Sequence, residues 1–193
     1  MVIDISQEVL SCKVFPGDPA PAKKQLCSMQ QGDICNLTSF SMCSHNGTHV
    51  DAPAHFIEVG KTIDQVGLDP FVGDCYVVRD EGDITAEKAQ AIFEQARNAG
   101  AAERILLAGK ITITAEAAKV FAREKIKLVG NESQTVGPED SPVEVHKILL
   151  GAGVVLLEGI VLKDVADGKY LLCAAPLNLA ECEGAPCRAV LIK

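Results

Sequence analysis

At 193 residues the chain is long enough to bury one sizeable core and short for more than one domain, so residues 1–193 are expected to form a single domain. Hydrophobic residues make up 48% and charged residues 23%, a globular balance that excludes general disorder. The net charge of −8, with no basic run longer than Lys23-Lys24, argues against nucleic acid or an anionic membrane surface as the main partner.

No basic region followed by an apolar stretch opens the chain. The strongest apolar segment, Val154 to Leu162, is interrupted by Glu158 and too short to span a bilayer. The expected compartment is therefore the cytoplasm. There the eight cysteines, none in a Cys-x-x-Cys pair, are expected as free thiols packed as small apolar groups. Cys43 stands two residues before His45 and would face the same way on a strand; core packing is favoured over a place near the histidines.

The first seventy residues are poor in helical periodicity and rich in Gly, Pro, Ser and Thr. Strands are expected at Val2–Ile5, Gln25–Met29 and Leu37–Met42, with Pro16-Gly17-Asp18-Pro19 as a turn. Beyond Cys75 the pattern alternates. Cys75–Arg79 reads as a strand, and Thr85 caps a helix to about Asn98 with Ala89, Ile92, Phe93 and Ala96 on one face and Gly100 as the stop. Ile105–Ala108 is a buried strand, Thr114 opens a helix to about Glu124, and Leu128-Val129 is a short strand. Ser141-Pro142-Val143-Glu144 predicts a helix start with a hydroxyl cap and a first-turn proline. That helix carries His146, Leu149 and Leu150 and ends at Gly151-Ala152-Gly153. Strands at Val154–Leu162, Tyr170–Ala174 and Ala189–Ile192 close an α/β fold with a mixed sheet.

Chemistry concentrates in Ser44-His45-Asn46-Gly47-Thr48-His49-Val50-Asp51-Ala52-Pro53-Ala54-His55, which holds three of the four histidines and an aspartate. Imidazole with carboxylate suits Zn²⁺, Mn²⁺ or Fe²⁺ and needs no thiolate. His45 and His49 have the four-residue spacing of a helical zinc motif, but Gly47 and Pro53 make a helix a poor host. An extended or looped chain would project His49 and Asp51 to one side, and Gly47 would let the backbone pass close to a metal. Glu158 sits in Val154-Val155-Leu156-Leu157-Glu158-Gly159-Ile160, where burying its charge would cost several kcal/mol without a partner. A cation, a buried arginine or a strand end in water would each answer that cost, and a cation is the most economical. Asn46 and Thr48 would either orient ligands or satisfy the loop backbone.

The full pattern His-x-Gly-Thr-His-x-Asp-x-Pro-x-His from His45 to His55 resembles the cyclase-like metal-dependent hydrolases, which include bacterial kynurenine formamidase and isatin hydrolase. Phe15-Pro16-Gly17-Asp18-Pro19, His146 with Glu158, and the tail Ala175–Leu179 and Pro186–Val190 extend the resemblance over nearly the whole chain. It implies that His45, His49, Asp51, His146 and Glu158 hold one or two divalent metals, Zn²⁺ or alternatively Mn²⁺, with Asp51 bridging and His55 as acid/base. It also implies a swivelling β/β/α arrangement, a small-molecule substrate and assembly as a homodimer or homotetramer. Phe15 stands where relatives with kynurenine-type substrates often carry Trp, and the loop Asn131–Gly137 departs from their Asp and Ser pattern. Both regions are expected near substrate, so the metal chemistry transfers better than the substrate's name.

The expected reaction is hydrolysis of a non-peptide C–N bond in a formamide, amide or lactam, such as one like N-formylkynurenine. A metal-dependent cyclase or dehydratase acting on a small polar acid is the second reading. A non-catalytic metal-binding protein is the third, and it leaves His55 without a task. There is no Gly-x-Ser-x-Gly elbow, which disfavours serine hydrolysis.

Overall fold

A computed structural model describes residues 1–193 as a mixed α/β fold of thirteen strands and three α-helices. In chain order, β1 (Val2–Asp4), β2 (Ala22–Cys27), β3 (Leu37–Ser41), β4 (His49–Asp51), β5 (Val72–Arg79) and β6 (Gly82–Ile84) precede α1 (Ala86–Asn98). Then come β7 (Arg104–Ala108), β8 (Ile111–Ile113), α2 (Ala115–Arg123), β9 (Leu128–Asn131) and α3 (Val143–Gly151). β10 (Val155–Glu158), β11 (Gly168–Cys173), β12 (Gly184–Pro186) and β13 (Val190–Ile192) complete the chain.

Nine strands share one sheet in the order β1-β13-β11-β5-β7-β9-β10-β4-β12. Its centre, β5-β7-β9-β10, is parallel, because α1, α2 and α3 return the chain across one face; both flanks are antiparallel. Successive residues of β7 feed opposite cores, as the pleat requires. Ile105 and Leu107 pack with the helices' Phe93, Phe121 and Leu149, whereas Leu106 and Ala108 pack with Phe71, Val50 and Leu191 on the face the sheet curls around. This is the expected β/β/α arrangement. No helix is long and apolar enough to cross a membrane.

The two threonine caps form as read: Thr85 Oγ1 accepts from Lys88 N and Thr114 Oγ1 from Ala117 N. Ser141 does not cap α3. The N-cap is Pro142, whose carbonyl accepts from His146 N, so the main chain rather than a hydroxyl organises that turn. Val154–Leu162 is not one strand. It pairs only from Val155 to Glu158, because Gly159 turns away at φ 66°. The strand expected to reach Met29 starts earlier and ends at Cys27, with Met29 in a 3₁₀ turn.

β2 and β3 pair only with each other, and all of β3 is exposed. β6 and β8 form a second two-stranded piece, parallel this time.

Candidate metal centre

β4 carries His49 and Asp51 on the same side of a fully buried strand. Its antiparallel partner β10 sets Glu158 directly opposite His49 and Leu156 opposite Asp51. The buried carboxylate of the apolar run is therefore a cross-strand neighbour of the histidine loop, which its sequence distance conceals. α3 then lowers His146 onto the same spot: His146 Nε2 lies 3.3 Å from Glu158 Oε1 and 3.7 Å from Asp51 Oδ2. His49 Nε2 lies 3.4 Å from Glu158 Oε2 and 3.5 Å from Asp51 Oδ1. His45 Nδ1, in the loop before β4, lies 2.9 Å from Asp51 Oδ1.

Two groups of donor atoms result, each with all its atoms within 4.8 Å of one another: His45, His49 and Asp51, and Asp51, His146 and Glu158. Asp51 belongs to both. It is wholly buried, and His49, His146 and Glu158 are 1–2% exposed. Two ionised carboxylates at such depth cost several kcal/mol unless cations meet them.

The site's own chemistry tests whether a metal fits. His49 Nδ1 sits 2.9 Å from the Gly47 carbonyl and His146 Nδ1 2.8 Å from that of Pro142. Each of these contacts fixes the tautomer that aims a bare Nε2 inward. Meanwhile His49 Nε2 and Asp51 Oδ2 are buried with no hydrogen-bond partner. Buried polar atoms are normally satisfied, so these converging orphans fit a divalent cation.

The protonation directions agree. Burial works against charge on His45, but the Asp51 contact and the charges of Asp51, Glu183 and Glu158 outweigh it and lift the ring to about 9. His49 and His146 are raised in the same way: burial opposes the shift, and Glu158 and Asp51 overcome it. Burial pushes Asp51 up, yet His45 and His49 hold it below the usual carboxylate range. The field that keeps protons on these rings is the field that would hold a cation.

His55 belongs to neither donor group. It follows β4 on a 3₁₀ turn begun by Pro53, and its ring stacks on His45 with centroids 4.0 Å apart. Burial lowers its pKa, and His45 and His146 lower it further against the pull of Asp51 and Glu158. It lines a cavity of about 220 Å³ whose floor is His45, His49, His146 and Glu158. Phe15, Asp18, Phe56, Gln134, Thr135 and Pro142 complete the wall. Phe15 lines this cavity directly, and the Asn131–Gly137 loop does so through Gln134 and Thr135.

Asn46 and Thr48 serve the backbone. Asn46 Oδ1 accepts from Cys43 N, and Thr48 Oγ1 accepts from Gln7 N and donates to the Gly159 carbonyl. Cys43 is half-buried beside Asp18, with Sγ 4.0 Å from its Oδ2, and joins neither donor group. Sequence reasoning missed Phe56, which no spacing marked, and Glu183, discussed below.

The Cyclase family model matches residues 3–138. The chain belongs to this family. It is 31% identical to the kynurenine formamidase of Erythrobacter litoralis over 97% of this chain and 92% of that protein. Against the kynurenine formamidase of Salinibacter ruber the identity is 32%, covering 98% of this chain and 96% of the relative. Among solved structures, one described as a predicted metal-dependent hydrolase from Bacillus stearothermophilus is 26% identical, with a TM-score of 0.79 over 99% of this chain and 97% of that one. Isatin hydrolase A from Labrenzia aggregata shares the fold, with a TM-score of 0.81 at 21% identity over 99% of this chain and 93% of its own.

Proposed function

We propose that His45, His49, Asp51, His146 and Glu158 hold two divalent cations, with Asp51 shared between them, and that His55 is the acid/base. The chain is an enzyme, a metal-dependent amide hydrolase acting on a small molecule, like the formamidases and hydrolases it resembles. One observation carries the division of labour: four imidazoles line one cavity, yet only three enter the donor groups, leaving His55 beside them with no donor role.

When bound, the divalent metal supplies the Lewis acidity that polarises a carbonyl and makes water acidic near neutrality. The chain's own contribution is positional. Gly47 and Pro142 carbonyls hold His49 and His146 in one tautomer, and the buried walls exclude bulk water. His55, lowered in pKa, is neutral near pH 7 and free to take a proton from attacking water and return it to the leaving nitrogen. Phe15 and Phe56 give the cavity two aromatic rings, which favours an aryl formamide or lactam over a small polar acid. Zn²⁺ suits the three imidazoles, and Mn²⁺ is the alternative the carboxylates also accept.

Residues 1–193 act as one domain in this reading, the two ends pairing as β1 and β13. The exposed hairpin β2–β3 supports a homodimer or homotetramer, since Leu26, Leu37 and Phe40 are left at least half exposed on a ribbon that pairs with nothing else. Eight free thiols support a cytoplasmic home.

Steady-state assays of Zn²⁺- and Mn²⁺-loaded protein on N-formylkynurenine, simpler aryl formamides and isatin test the activity. Turnover of at least one is expected. Stoichiometric metal binding with no turnover of any would return the chain to the non-catalytic reading.

A further inference from the structure

Glu183 lies outside both donor groups, on the residue just before edge strand β12, yet it closes the far side of the His45 ring. Its Oε1 is 3.1 Å from His45 Nε2, while Nδ1 of the same ring is 2.9 Å from Asp51 Oδ1. The two nitrogens of an imidazole diverge. Nδ1 is therefore the atom turned toward Asp51 and His49, and Nε2 is the atom turned away from them.

His49 and His146 show the opposite usage, each resting Nδ1 on a main-chain carbonyl. His45 alone has a carboxylate behind it. Three further observations show that the contact is built. Ser44, the residue before His45, donates its hydroxyl to the same Glu183 oxygen at 2.6 Å. Ala52 N donates to the Glu183 carbonyl, continuing the β4–β12 ladder in which Gly184 opposes Asp51. The His45 ring lies directly on Gly184, where an added Cβ would stand 2.8 Å from His45 Cε1 and 2.8 Å from the Val50 carbonyl. Residues 183 and 184 together thus form the surface that seats this ring.

We propose that Glu183 is the positioning residue of His45: it accepts Nε2–H, fixes the tautomer that presents Nδ1 to the metal, and lends negative charge to that site. This rests on the reading of His45, His49 and Asp51 as metal donors. The two sites are then unequal by construction, since the histidine of the other group, His146, has only a backbone carbonyl behind it.

The Glu183 side chain is 42% exposed, so its replacement strands no buried charge and the variants are expected to fold. The test is competition of the full-length protein against a chromophoric chelator for Zn²⁺. Wild type, Glu183→Gln, Glu183→Ala and His49→Ala are compared, with thermal unfolding of each metal-free protein as the control. The binding step that His49→Ala abolishes identifies the His45 site. Glu183→Ala is expected to weaken that step roughly 10- to 100-fold and leave the other unchanged. Glu183→Gln, which keeps a neutral acceptor, is expected to fall between. Wild-type affinity at the His45 site in both variants would overturn the proposal, as would equal weakening of both steps. Should Glu183→Ala fail to fold, Glu183→Gln decides on the same criterion. A wild-type protein that takes up no Zn²⁺ would instead refute the metal reading beneath it.

Discussion

β3 and β4 are consecutive strands, and they invert the usual rule of burial in opposite ways. β3, Leu37–Ser41, carries a leucine and a phenylalanine and is exposed at every residue. β4, His49–Asp51, carries a histidine and an aspartate and is buried at every residue. Each arrangement carries a cost: one leaves apolar area in water, the other removes charge from it. Each therefore points to something that completes it. For β4 it is a cation, the answer its orphaned His49 Nε2 and Asp51 Oδ2 demand. For β3 the completion we propose is a second copy of the chain.

The largest expected effect comes from removing the carboxylate that both donor groups share. Asp51→Ala should lose metal at both sites by elemental analysis, and activity should fall to background with it. His49→Ala should lose the metal of the His45 group and most activity. Retention of two metals by Asp51→Ala would break the comparison, since the buried aspartate would then lack the ligand role that justifies its burial.

Next in size is the histidine that shares the cavity without joining a donor group. His55→Ala should keep its bound metal and lose roughly 10²–10⁴-fold in kcat, the usual worth of a positioned acid/base. Metal content and kcat measured on one preparation separate the outcomes. If His55→Ala empties the site, it is a ligand and the assignment is wrong.

A fourth substitution calibrates ordinary burial within the same wall. Leu157 in β10 is fully buried and pairs across to Val50, between the register positions of Asp51 and His49. Leu157→Ala should cost about 2–5 kcal/mol of folding stability. Denaturant unfolding of the metal-free protein measures it. A loss below about 1 kcal/mol would show that the core around β4 is looser than its burial indicates.

How much of this was legible in the sequence follows from the range of each signal. The donor loop is local, so the spacings of His45, His49, Asp51 and His55 announced a metal, and Gly47 and Pro53 announced extended chain rather than helix. Glu158 was legible as a carboxylate in an apolar run, but its partner was not, because antiparallel pairing of β10 with β4 is a tertiary fact. The Thr85 and Thr114 caps were legible because a cap spans three residues. β4, β6, β8 and β12 are three residues each, too short for any periodicity to register. Glu183 was hidden most completely. Glu181-Cys182-Glu183-Gly184 reads as a solvated turn, and the histidine it meets stands 138 positions away.

The smallest expected effect on folding, and the most direct test of the other half of the comparison, lies in the hairpin. Phe40 is 65% exposed and Leu26 51%, on strands whose only partners are each other. Exposed side chains contribute little to the stability of their own chain, so Phe40→Ser with Leu26→Ser should change monomer unfolding by no more than about 0.5 kcal/mol per position. If the hairpin is an interface, the same pair of substitutions removes its apolar anchors, and anchors of this kind carry most of an interface's energy. Light scattering at micromolar concentration should then show the wild type as a dimer or tetramer and the double variant as a monomer. Cys35, exposed at the tip between the strands, offers a second reading of the same event. Its alkylation should be faster in the variant wherever the assembled partner covers it. A wild type that is monomeric and fully active would leave the exposed strand without a partner and overturn the pairing of the two inversions. A double variant that stays assembled would move the interface elsewhere on the surface. A double variant that unfolds with a loss of several kcal/mol would show that Leu26 and Phe40 support their own chain after all.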